Sequence, residues 1–140
     1  MNKLYQSFSI LLLATMLSGC MTSLIGARFD NNEYFLINSI RTTAEIGVDY
    51  CGTNAVKQLI PNMWVKSLEL KNYASDIPGN GPMIEMSIKL HDMITGLNTR
   101  YKTVGDSVEP STSYCTLKFK SIIRDSKIIQ RVVGDKPRWM

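Results

Sequence analysis

Between Glu109 and Val133 one spacing governs the chain. Cys115, Phe119, Ile122, Ser126, Ile129 and Val133 are small or apolar and recur at steps of four and three residues. Such steps return a side chain to one face of a helix, so the segment predicts an amphipathic α-helix. Three earlier segments repeat the spacing. Residues 32–51 carry Ile37, Ile40, Ala44, Gly47 or Val48, and Cys51. Residues 54–75 carry Val56, Ile60, Met63, Ser67, Leu70 and Ala74. Residues 82–102 carry Met83, Met86, Leu90, Met93, Leu97 and Tyr101, with Ile94 beside them. Strand-like alternation is scarce.

The punctuation agrees with four helices. Asp30 or Asn31 suits the first N-cap, Gly52 and Gly134 suit C-terminal stops, and Pro82 and Pro110 suit first-turn positions. Ser75 to Pro82, "SDIPGNGP", is a turn. Pro61 lacks a backbone donor and clashes with the preceding turn, so a kink or break is expected near Asn54–Ile60. Each segment is about 20 residues, or ~30 Å, joined by a short link. The expected architecture is therefore all-α: an up-down antiparallel four-helix bundle.

Ahead of the bundle lies a different kind of sequence. Residues 1–9 hold one charge, Lys3, and Ile10 to Leu17 is nearly unbroken apolar sequence. That run has the length of a signal peptide core and falls short of the ~20 apolar residues of a membrane span. It ends in Leu17-Ser18-Gly19-Cys20, which resembles the lipobox of bacterial lipoproteins. The resemblance covers the first twenty residues only. It implies cleavage of residues 1–19, a diacylglycerol-modified and palmitate-bearing Cys20, a tether over residues 20–31, and a bundle with a basic tail over residues 32–140. Met21 in place of an aspartate implies the outer membrane on its periplasmic side, ahead of the inner membrane. Acyl chains contribute ~0.8 kcal/mol per buried methylene, and two signals give stable anchoring.

Assigning Cys20 to lipid leaves Cys51 and Cys115 as an even pair in an oxidising compartment. The topology agrees with their pairing. In an up-down-up-down bundle the first helix ends, and the fourth begins, at the same end. By the same reasoning the bundle's base faces the membrane. The end carrying Cys51–Asn54 and the Thr103–Ser111 loop points away, placed to meet a partner.

Candidate chemistry is sparse. The single histidine, His91, falls about 80 degrees from the third stripe's centre and reads as a solvated or boundary residue. No GxSxG, HExxH or paired-cysteine motif accompanies it. The methionines read as core filler, and no CxxCH motif supports haem. No catalytic residue, metal site or cofactor is expected, and the chain reads as a non-enzyme.

One pattern points to a partner. Lys120, Arg124, Lys127 and Arg131 form a basic stripe on the fourth helix, about 150 degrees from its apolar face. Arg138 and Trp139 in the tail "DKPRWM", with Lys136 nearby, suit a membrane interface, the other reading being a frayed basic terminus. These residues mark contact with an anionic partner, the other reading being a solvated face. The formal net charge of +4 is too mild to imply nucleic acid. Phe35, Ile46, Ile88, Leu117 and Ile128 fall off the stripes. The expected role is a non-catalytic protein-interaction or accessory module of the cell envelope, in the manner of an exclusion lipoprotein carried by a phage or plasmid. Two alternatives stand beside it: a periplasmic carrier of haem, metal or lipid in the bundle core, and a phage outer-membrane spanin-like subunit.

Overall fold

Four helices account for most of residues 26–103 and 110–138, the part of the chain that the computed structural model describes. They are α1 (Asn31–Asp49), α2 (Val56–Asp76), α3 (Gly81–Thr103) and α4 (Thr112–Gly134). Cys20 and Trp139, the expected lipidation site and the tail tryptophan, lie outside the described residues. Each helix packs on its two neighbours, α4 also on α1, and the diagonal pairs stay apart across the core. The chain is thus an antiparallel up-down four-helix bundle.

Local chemistry starts each helix. The Asp30 side chain accepts from the Glu33 backbone N–H at 2.9 Å, a side-chain N-cap. Tyr73 Oη of α2 donates to the same carboxylate, tying the cap to the next helix. α2 has no side-chain cap. It opens through i→i−3 bonds from Val56, Lys57 and Gln58 to Thr53, Asn54 and Ala55. The helix then runs unbroken through Pro61. A helical proline crowds the carbonyl four residues before it, here that of Lys57 in the tightened first turn, so its effect falls at the helix entry and not in its middle. Asn80 accepts from Met83 and Ile84 through its backbone carbonyl and starts α3. Ser111 caps α4 by accepting from the Tyr114 N–H, which leaves Pro110 just outside the helix.

Both ends of the bundle are closed. At the top a disulfide joins Cys51 to Cys115, with Cα atoms 5.7 Å apart. One turn below, α1 and α4 approach so closely that a Cβ on Gly47 would overlap the Phe119 ring. At the base the entering chain, the α2–α3 turn and the tail meet. Ala27 N–H donates to the Gly79 carbonyl and Phe29 N–H to that of Pro137.

The buried positions of α2 are Val56, Ile60, Met63, Ser67, Leu70 and Ala74, the expected stripe. In α4 the six expected positions are buried with Gln130 added. α3 differs. Its buried face includes Met83, Ser87, Leu90, His91, Ile94, Leu97 and Asn98, while Met86 and Met93 are only partly buried. The true stripe is rotated toward polar residues. A hydrophobicity count drew it through the two methionines and set the histidine and asparagine outside.

Candidate anion-binding groove

The four stripe cations Lys120, Arg124, Lys127 and Arg131 are exposed on the outer face of α4. The structure divides them. Arg124 pairs with its neighbour Asp125 at 2.9 Å. Lys127 and Arg131 have no ion-pair partner among the described residues. They rim a groove of about 720 Å³ along the base half of the α1–α4 seam.

The groove's floor is a cross-helix bridge. Arg41 of α1 donates through Nη1 to Gln130 Oε1 at 2.7 Å and through Nε to Glu45 Oε1 at 2.9 Å. Gln130 Nε2 donates back to Asn38 Oδ1 at 3.0 Å. Sequence reasoning missed Arg41, because nothing in its own helix marks it. It joins the site through a glutamine 89 residues away. The lower wall is aromatic. Phe29 and Tyr34 stand with ring centroids 5.9 Å apart, and the Arg138 guanidinium lies 4.6 Å over Phe29. Arg41, Lys127, Arg131 and Arg138 therefore face one concavity whose only lining carboxylate among the described residues is Asp135. Such a groove can hold an anionic group, with Arg supplying planar bidentate donors. Lys120 lies higher on α4 and does not line it.

The tail is not uniform. Arg138 reaches the groove, but Lys136 turns inward, contrary to its reading as part of a membrane-facing or frayed terminus. Its Nζ donates to Glu33 Oε2 at 2.6 Å and to Asn80 Oδ1 at 2.7 Å. Asn80 Nδ2 completes the triangle by donating to Glu33 Oε1 at 2.8 Å, and also reaches the Ala74 carbonyl at 3.1 Å. Glu33 is wholly buried and the Lys136 side chain is 10% exposed. Sequence reasoning missed Glu33, although it stands four residues before Ile37, in register with the α1 stripe. A carboxylate in a core register demands a buried partner.

His91 is a second departure. Expected in solvent or at the boundary, it is 8% exposed. Trp64 Nε1 donates to Thr95 Oγ1 at 3.0 Å, and Ser67 Oγ donates to the Trp64 carbonyl at 2.7 Å. His91 joins the two, with Nδ1 at 2.9 Å from Ser67 Oγ and Nε2 at 3.4 Å from Thr95 Oγ1. The proton arrangement that uses every bond, assigned from this network, is a neutral ring donating from Nδ1. Burial lowers its pKa, Lys71 lowers it further, and Asp92 opposes both. Ser67 then gives its proton to a carbonyl and accepts from the histidine, the reverse of a nucleophile and its base. The cluster links α2 to α3 within the core.

Among the described residues no group of three histidines, cysteines or carboxylates is placed to hold a metal ion. No described helix is long and apolar enough to cross a membrane. No family model matches this chain, and neither a curated protein nor a solved structure is similar to it. The class is defined by the architecture itself: a four-helix bundle closed by one disulfide, with a cationic groove on its α1–α4 seam.

Proposed function

We propose that this chain is a membrane-anchored lipoprotein of the bacterial envelope, held by lipid on Cys20 at the periplasmic side of the outer membrane. In this reading the bundle is a non-catalytic interaction module, with an accessory or exclusion role, and the α1–α4 groove takes an anionic group. The observation that carries the reading is Leu17-Ser18-Gly19-Cys20 at the end of a signal-length apolar run. Three further features support it. A disulfide suits an oxidising compartment. The core is filled by its own side chains, Ile37, Ile60, Leu90 and Phe119 among them. Lys127 and Arg131, without an ion-pair partner among the described residues, face outward beside an open groove.

The test is membrane fractionation of cells with mass analysis of the Cys20 peptide, followed by crosslinking in the native envelope. Wild type is expected in the outer membrane fraction with a diacylglycerol on Cys20. A Cys20→Ser chain is expected to keep its bundle and leave that fraction. Unmodified Cys20, or a Cys20→Ser chain that stays in place, would overturn the anchoring. Envelope crosslinks that survive Lys127→Glu with Arg131→Glu would remove the groove from the interaction.

A further inference from the structure

The outer face of α4 is chemically unlike the other three. Among their charged residues α1, α2 and α3 mix both signs. α4 carries Lys120, Arg124, Lys127 and Arg131 on its outer face, while Lys118 and the acid Asp125, paired with Arg124, lie off it. Lys120 to Arg131 is eleven residues, or ~17 Å of helix. Leu117 and Ile128 lie within about 70 degrees of that stripe's centre on a helical projection. They are the most exposed large aliphatic side chains of the described residues, at 64% and 52%. One outward face therefore presents a row of cations with two apolar side chains along its edge, and the cationic groove opens on its other flank.

Building on the anchoring proposed above, we infer that this face binds the anionic phospholipid surface to which the chain is tethered, so that the bundle lies on its side with α4 down, in place of the base-down orientation expected from the topology. The geometry of the tether permits it. The chain enters the bundle at Gly26, six residues after Cys20. Six residues span at most ~20 Å, so the base stays within about that distance of the lipid anchor. An anionic bilayer attracts each nearby Lys or Arg, and apolar side chains among the cations reach into the headgroup boundary. Lipid phosphate has the chemistry that the groove's guanidinium groups recognise. The α2–α3 side, with Val65 and Ile88 exposed, then faces the periplasm.

The experiment uses the full lipidated chain in vesicles of phosphatidylcholine, with or without phosphatidylglycerol, and reads amine acylation of individual lysines. Lys120 and Lys127 are expected to label about fivefold more slowly when phosphatidylglycerol is present, the factor that ~1 kcal/mol corresponds to. High salt should restore their rate. Lys57, Lys66 and Lys71 on the diagonal helix α2 should label alike in both. Arg124→Glu with Arg131→Glu should abolish the difference at Lys120 and Lys127, while the circular dichroism of the bundle is retained. Equal labelling of a tethered chain in both vesicles would overturn the inference. Equal labelling there with protection in the native envelope would overturn it in favour of a protein partner. Failure of the anchoring itself reads differently: no lipid mass on Cys20 and no association with phosphatidylcholine alone.

Discussion

The two ends of the bundle perform one task with opposite chemistry. At the top a covalent bond between Cys51 and Cys115 ties α1 to α4. At the base the ion pair between Glu33 and Lys136, with Asn80 completing it, ties α1 to the α2–α3 turn and the tail. The covalent closure restricts the unfolded chain and buries no charge. The ionic closure restricts nothing in the unfolded chain and holds a carboxylate in the core, which is favourable only while every partner is present. The top is robust to the loss of a neighbour's polarity. The base is an all-or-none device.

That contrast can be broken at either end. The largest effect is expected at the base. Lys136→Met leaves the wholly buried Glu33 without its cation and should cost about 3–5 kcal/mol in chemical denaturation. Glu33→Leu combined with Lys136→Met should recover much of that loss, because the apolar pair removes the unpaired charge. If the double variant is as unstable as the single one, the clasp is not a charge pair in energetic terms. At the top, Cys51→Ala with Cys115→Ala should cost about 2–4 kcal/mol, with a loop of this length setting the upper value. A larger loss than at Lys136 would reverse the ranking of the two ends.

Smaller changes sharpen the comparison. Gly47→Ala forces the Phe119 ring to move just under the disulfide and should cost about 1–3 kcal/mol by the same measurement. Asp30→Ala removes the α1 cap beside the clasp, with an expected loss of about 1 kcal/mol. The smallest effect lies between the ends. His91 has its pKa lowered from 6.5 in the folded state, so the unfolded chain binds its proton first as pH falls. Its contribution to stability is therefore present above 6.5 and lost below that value. Thermal melts of His91→Asn against wild type should show a shallower acid slope in the variant. An equal or steeper slope would place the acid sensitivity elsewhere.

The ends also differ in how they could be read. The top was legible because both cysteines stand on apolar stripes, and because the lipobox resemblance left them as the remaining pair. The base was not. Lys136 looks like one cation of a basic tail, and its partner stands 103 residues away. The groove was half legible. Lys127 and Arg131 declare themselves by spacing within one helix, whereas Arg41 enters only through the packing of α1 on α4. In α3 the hydrophobic count chose the methionines, and the real face turned toward Ser87 and His91, since polar groups with partners are buried without the penalty that polarity alone suggests.

Local spacing determined four helices, their order, most of their buried faces and the outward cations of α4, because each depends on residues a few positions apart. Tertiary structure alone decided which charges meet. The distances between Glu33 and Lys136, and between Arg41 and Gln130, are set by how helices pack side by side, and ion pairs and hydrogen bonds act only at contact. A pattern with a period of three or four residues carries no record of a neighbour that folding brings from a hundred residues away.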